Sequence, residues 1–223
     1  NFKIKRGTTT AIIGSTGSGK STIAKLIMRF HDVTGGTLRI CGTDVRTLSR
    51  DELHSRISYV PQKAWLFSGT IADNLRYGNE NATEEDMWQA LDTAQSGFVR
   101  ELPNHLDSRV TQGGTNFSGG QKQRLAIARA LMKKSDLYIF DDSFSALDFK
   151  TDAALRKALK TAVADSAVLI IAQRVSTITS ADQIIVLEEG AAVGIGKHEE
   201  LLASCPTYAD IVKSQTRGGE INV

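Results

Sequence analysis

The stretch TTTAIIGSTGSGKST, residues 8–22, decides the fold. Thr8 to Gly14 is short, apolar at its centre and rich in β-branched residues, which predicts a buried strand. Gly14, Gly19, Lys20 and Ser21 then satisfy the pattern G-x-x-x-x-G-K-[ST], and a helical pattern follows from Ser21 to about Phe30. Glycines let the loop backbone curl until successive N–H groups converge on phosphate oxygens. The helix that starts near Lys20 adds the positive end of its dipole. Lys20 has the reach and charge for the terminal phosphates, and Ser21 offers a hydroxyl to Mg²⁺. Ser15, Thr16, Gly17, Ser18 and Thr22 complete the loop as candidate nucleotide contacts. A Gly/Ser-rich linker would supply the glycines but not the flanking strand and helix.

A second stretch, LYIFDDSFSALD (residues 137–148), runs an apolar strand into adjacent aspartates. A strand that ends this way presents carboxylates at the lip of a sheet. Asp141 is the candidate magnesium ligand that such a loop needs from a second strand. Asp142, one residue on, stands where a base would orient or deprotonate an attacking water; the plainer alternative is a turn cap.

The remaining chain fits an α/β protein. GGTLRICGTDV reads as a hairpin and RISYVPQ as a strand stopped by Pro61. From about residue 70 to 134, on the order of 60 residues, the texture is helical, with Thr83 as a helix N-cap before TEEDMWQALDTA's acids. Strands and helices then alternate through DLYIFD, KTDAALRKALK, SAVLIIAQ and DQIIVLEEG, which implies a mostly parallel sheet.

Composition narrows the class. A chain of 223 residues buries a substantial core. A net charge of +2 gives no footing for nucleic acid as a partner. The two cysteines, Cys41 and Cys205, fit no metal-ligand spacing and read as free thiols in a reducing compartment. No apolar run approaches the ~20 residues of a membrane span, and no signal peptide opens the chain. NFKIKRG at the start reads as the inside of a strand, and so as a piece of something longer.

Several stretches together resemble ATP-binding-cassette (ABC) proteins across essentially the whole chain, residues 1–223. FSGGQKQRLAIARAL resembles the family signature; read from the residues, SGGQ opens an amphipathic helix with Leu125, Ala128 and Met132 on one face. Ser118 and the exposed backbone of Gly119 and Gly120 make an anion site at its start, with Gln121 beside them. YVPQ with Gln62 is similar to the family's Q-loop, whose glutamine contacts the metal, and SALD with Asp148 to its D-loop. IIAQRVSTI sits at its H-loop. WLFSGTIADNL resembles the exporter branch, in which this segment meets the transmembrane domains; otherwise Trp65 and Phe67 are core aromatics. The tail GKHEELLASCPTYADIVKSQ also resembles exporter domains, with His198 a surface or capping residue.

The resemblance implies a P-loop NTPase core with a mostly parallel sheet, an antiparallel β edge subdomain and a helical signature subdomain over roughly 70–134. It implies ATP and Mg²⁺ as cofactors, with Ser21, Gln62 and Asp141 on the metal. It implies a head-to-tail dimer, each ATP held between one chain's phosphate loop and the other's signature helix. A transmembrane domain on the same polypeptide would place this domain at the cytoplasmic face of the membrane.

Two residues depart from the family pattern. The carboxylate after the strand aspartate is usually glutamate, and here it is Asp142, shorter by about one C–C bond, ~1.5 Å. The H-loop histidine is replaced by Gln173, whose amide can still hydrogen-bond the γ-phosphate of ATP but is always neutral and carries no proton to and fro. With Gln62 these are the candidate catalytic residues. The pair matches the impaired half of asymmetric, heterodimeric exporters, whose intact SGGQ serves the partner's site. A base-stacking aromatic at the family's distance upstream is absent, since Phe2 lies too near Gly14; its loss would weaken ATP binding by ~1–3 kcal/mol. The alternatives are a nucleotide-gated dimerisation module without turnover and an importer ATPase. A chromosome-maintenance ATPase lacks support, since no coiled-coil insertion separates the motifs.

Overall fold

The computed structural model describes residues 1–217; residues 218–223 of the expected domain lie outside the described residues. The chain begins with β1 (Thr9–Gly14), α1 (Lys20–Ile27), β2 (Arg39–Ile40), β3 (Thr43–Asp44), α2 (Arg50–Ser55) and β4 (Ile57–Val60). It continues through β5 (Gly69–Thr70), α3 (Ile71–Arg76), α4 (Glu84–Thr93), β6 (Arg109–Val110) and α5 (Gly119–Leu131). The last part holds β7 (Leu137–Asp141), α6 (Phe149–Ala162), β8 (Ala167–Ile171), β9 (Gln183–Glu188), β10 (Ala191–Gly196), α7 (His198–Ser204) and α8 (Pro206–Arg217). Two compact units result: Asn1–Ile57, Ser135–Asp142 and the chain from Asp165 on make one, and Ser58–Lys134 with Ser143–Ala164 make the other.

In the first unit the strands lie in the order β10-β9-β1-β8-β7. β9, β1, β8 and β7 are parallel, and only β10 runs antiparallel, at the edge. β7 and β8 are buried at every position, which is why they read as unbroken apolar runs rather than alternating ones. β10 is largely exposed and carries a register irregularity between Ala192 and Gly194, a common way to blunt a free edge. β2 and β3 form the expected hairpin. Asn1–Lys5, expected inside a strand, have no regular structure; among the described residues no strand pairs with them.

α8 is fixed to this unit by Tyr208, which is fully buried. Burial pushes its phenol up to about 12, so it stays protonated, and its hydroxyl is hydrogen-bonded with His198 Nδ1 at 2.8 Å. His198 therefore has a definite role, partnering a buried hydroxyl at the start of α7.

The second unit holds α3 to α6. α4 starts at Thr83 as expected: the Asp86 N–H donates to Thr83 Oγ1 at 3.1 Å, and the Thr83 N–H to Asp86 Oδ2 at 2.9 Å. On α5, Leu125 and Ala128 are buried, and Met132 at its C-cap is too. The helical stretch also contains the antiparallel pair β5–β6, whose two-residue strands are too short to show an alternation. Trp65 is 52% exposed, so it is not a core aromatic; one part of its ring rests on Gly113, where a Cβ would stand 3.2 Å away. No helix of the described residues is long and apolar enough to cross a membrane.

The packing of this unit has one tight point at Gly78, just past α3. A Cβ there would stand 2.3 Å from the Arg129 carbonyl oxygen and 2.8 Å from Met132 Cβ. Backbone oxygen cannot step aside, so Gly78→Ala is expected to lower unfolding free energy by roughly 1–3 kcal/mol. A urea titration with unchanged midpoint would contradict this packing.

Candidate functional site

The phosphate loop connects β1 to α1 in the first unit. Gly14 admits no side chain, since a Cβ would lie 2.2 Å from the Leu187 carbonyl oxygen on β9. Gly19 is the N-cap of α1 at φ 96°, a left-handed conformation that glycine adopts without a steric cost. No side chain caps that helix end, and its first turn holds no acid. Its leading N–H groups are thus left for an anion. Ser18 is buried, and its carbonyl accepts the Gly190 N–H at 3.2 Å, so the β9–β10 turn buttresses the loop. Ser15, Thr16, Gly17 and Thr22 are exposed.

Lys20 lies back over its own loop, Nζ donating to the carbonyl oxygens of Gly14 at 2.8 Å and Ser15 at 2.7 Å. Burial lowers its pKa, while Asp142 and then Asp141 pull it upward. Ser21 Oγ donates to Asp141 Oδ1 at 3.0 Å, joining the start of α1 to the end of β7. A hydroxyl and a carboxylate side by side are hard oxygen donors of the kind Mg²⁺ prefers. Among the described residues no group of three His, Cys, Asp or Glu forms a metal cage.

Asp142 follows at φ 48°, with its N–H donating to the Ile171 carbonyl at 2.7 Å. Asp141 is 3% exposed and Asp142 8%. Gln173, two residues past β8, donates from Nε2 to Asp142 Oδ2 at 2.8 Å. The two residues that break the family pattern are therefore hydrogen-bonded to each other.

The second unit carries the other motif residues. Gln62 is exposed on the loop after β4. Ser118 and Gln121 form a capping box at the start of α5: the Gln121 N–H donates to Ser118 Oγ at 3.3 Å and the Ser118 N–H to Gln121 Oε1 at 2.9 Å. Gly119 faces open space, whereas a Cβ on Gly120 would meet the Ala146 carbonyl oxygen at 3.2 Å. Asp148 is the N-cap of α6, and its hydrogen bonds from the Thr151 N–H and hydroxyl hold its carboxyl below the usual range. Sequence reasoning missed two α5 side chains that hold the Q-loop. Buried Gln123 donates to the Pro61 carbonyl at 3.3 Å, and Arg129 to the Trp65 carbonyl at 2.9 Å. A glutamine among the buried residues of an amphipathic helix was the available signal. Gln215, which bonds the H-loop backbone, was missed as well.

A glycine loop between strand and helix, with a serine hydroxyl on a strand-end carboxylate, defines a P-loop nucleotide-binding protein. Residues 1–145 match the family described as ABC transporter, and the chain belongs to that family. An uncharacterized ABC transporter ATP-binding protein of Mycobacterium bovis is 52% identical over 214 residues, which cover 94% of this chain and 36% of the relative. An ATP-dependent lipid A-core flippase of Vibrio vulnificus is 41% identical over 217 residues, covering 96% of this chain and 37% of the flippase. A bacterial Atm1-family ABC exporter solved with ATP bound superposes with a TM-score of 0.92 at 35% identity, over 96% of this chain and 38% of that one. The chain thus spans just over a third of the length of these relatives.

Removing the strand-end charge isolates the metal. Asp141→Asn is expected to leave metal-free ATP binding within about twofold while cutting the gain in affinity on adding Mg²⁺ by roughly tenfold or more. Calorimetric titrations with and without Mg²⁺ check this, and a full Mg²⁺ response in the variant would remove Asp141 from the metal site.

Proposed function

We propose that this chain is the ATP-binding and ATP-hydrolysing domain of an ABC exporter, and that its own nucleotide site turns over slowly. The observation that carries the second half is the 2.8 Å hydrogen bond from Gln173 to Asp142. The relatives' names, an ATP-dependent flippase and an exporter with ATP bound, support the first half.

In this reading the curled loop Gly14 to Thr22 and the start of α1 receive the phosphates, and Lys20 exchanges its loop carbonyls for the terminal phosphate oxygens. Ser21 and Asp141 would hold Mg²⁺, which when bound neutralises charge that develops on the transferring phosphoryl group. Asp142 orients the water for in-line attack on the terminal phosphorus. Its carboxylate is withdrawn by ~1.5 Å relative to a glutamate, and a misplacement of ~1 Å costs on the order of 10²-fold in rate. The Gln173 amide occupies one of its oxygens, so the water must compete for the carboxylate. The phosphate- and metal-binding groups are complete in this reading, while the proton-handling pair is altered.

The domain extends over residues 1–223, with a helical subdomain at roughly 70–134 inside it. It pairs head-to-tail with a second ABC ATP-binding domain on a different chain, to whose site Ser118 to Gln121 and Asp148 contribute. A transmembrane domain on the same full-length polypeptide places it at the cytoplasmic face. The alternative, a domain that binds ATP and dimerises without any turnover, is favoured by the same Gln173–Asp142 contact.

Steady-state ATP hydrolysis by the full-length polypeptide at high concentration, so that like domains pair, separates the readings. The parent is expected to be nearly silent, and Asp142→Glu with Gln173→His to raise turnover on the order of 10²-fold. A parent that already hydrolyses tens of ATP per second (roughly the middle of the enzyme range) defeats the slow-site proposal. A double variant that stays silent selects the module without turnover.

A further inference from the structure

The carboxamide of Gln215 on α8 makes two hydrogen bonds to one short piece of backbone. Its Oε1 accepts the Val175 N–H at 2.8 Å, and its Nε2 donates to the Gln173 carbonyl at 2.7 Å. A peptide group in a neighbouring parallel strand bonds in this way, to the carbonyl before and the N–H after one residue. β8 has ended at Ile171. The side chain therefore extends strand-like pairing over the H-loop, where no strand remains to provide it.

The pairing matters beyond backbone satisfaction because of what the segment carries. Gln173 sends its own amide to Asp142 Oδ2, so a chain of contacts runs from Gln215 through the H-loop backbone to the carboxylate. Gln215 is itself held in place. Tyr208, fully buried and bonded to His198, lies about two turns earlier on the same face of α8. Only a carboxamide presents a donor and an acceptor side by side in this geometry. A glutamate keeps the acceptor for Val175 but sets a second oxygen against the Gln173 carbonyl.

We propose that Gln215 is a positioning residue for recognition of the terminal phosphate: by clamping the backbone at Gln173 and Val175 it sets where the Gln173 amide points. The proposal rests on the reading of Gln173 as the group that faces the γ-phosphate. ADP lacks that phosphate, so the clamp acts on the preference for ATP and not on nucleotide binding as such.

The test compares Mg-ATP and Mg-ADP affinities of the full-length polypeptide in Gln215→Ala, Gln215→Glu and Gln173→Ala variants, with hydrogen exchange at the Val175 amide. Both Gln215 variants are expected to weaken ATP roughly three- to tenfold, the range of one or two hydrogen bonds, with ADP unchanged. Val175 exchange should rise in Gln215→Ala and stay slow in Gln215→Glu, which retains the acceptor. If Gln215→Ala folds poorly, Gln215→Glu still carries the comparison. Loss of ATP and ADP affinity in parallel, or an unchanged ratio with faster Val175 exchange, reduces Gln215 to a structural contact and overturns the proposal. An ATP preference that falls in Gln173→Ala but not in either Gln215 variant overturns the clamp alone. A preference untouched by Gln173→Ala removes the reading of Gln173 itself, and the clamp with it.

Discussion

In a parallel sheet every strand ends on the same edge, and here the register puts Ile12, Ile171 and Asp141 in one row across β1, β8 and β7. The phosphate loop leaves that row two residues later at Gly14, Asp142 one residue later and Gln173 two residues later. Ligands of open α/β sheets collect outside the carboxyl ends of the strands for this reason. The register is fixed from below. A slip by one residue would turn every side chain of β7 or β8 to the opposite face, and since both faces of these strands are packed, each side chain would meet neighbours of the wrong shape. The placement of a few polar atoms at the edge is thus set by the apolar interior, and the contact of Gly14 with the Leu187 carbonyl ties the loop to β9 as well.

The polar groups at that edge are arranged in pairs, since a buried charge is costly unless it is bonded. Ser21 meets Asp141, Gln173 meets Asp142, and Lys20 spends its ammonium on two loop carbonyls. The formal charges do not balance: one lysine faces two aspartates. A divalent cation beside Ser21 and Asp141 would offset part of that negative charge, and the uncapped start of α1 would favour an anion next to it.

Residues 8–22 were readable because several requirements coincide in them: β-branched apolar residues, glycines at the bend, and a lysine and serine at the helix start. The caps at Thr83 and Ser118 were readable for a similar reason, each pairing an N-cap oxygen with a polar side chain three residues on. Other features left no local trace. β5 and β6 are too short to alternate, and Asn1–Lys5 look extended in composition yet pair with no strand among the described residues. Gln215 resembles a solvent-facing residue of an amphipathic helix, and Gln123, though it stands among apolar positions, gives no hint of its partner. Their partners are backbone atoms distant in sequence, and no sequence pattern announces which carbonyl a glutamine will find. The bond between Asp142 and Gln173 was hidden too, although each residue had been singled out, because pairing between loops depends on sheet order.

Binding and chemistry would place different demands on this edge. Phosphate recognition by N–H groups and a lysine reads charge over several ångströms and tolerates small displacements. Proton handling needs one atom in one place. Asp142 sits in the left-handed region, where aspartate is several-fold more common than most residues. Its short carboxylate is met by an amide that donates and never changes charge. The pair is therefore self-consistent, and changing one member removes the hydrogen bond between them. Residues coupled in this way should change together, with non-additive effects. The two positions expected to depart from the family pattern are thus the two whose side chains bond to each other.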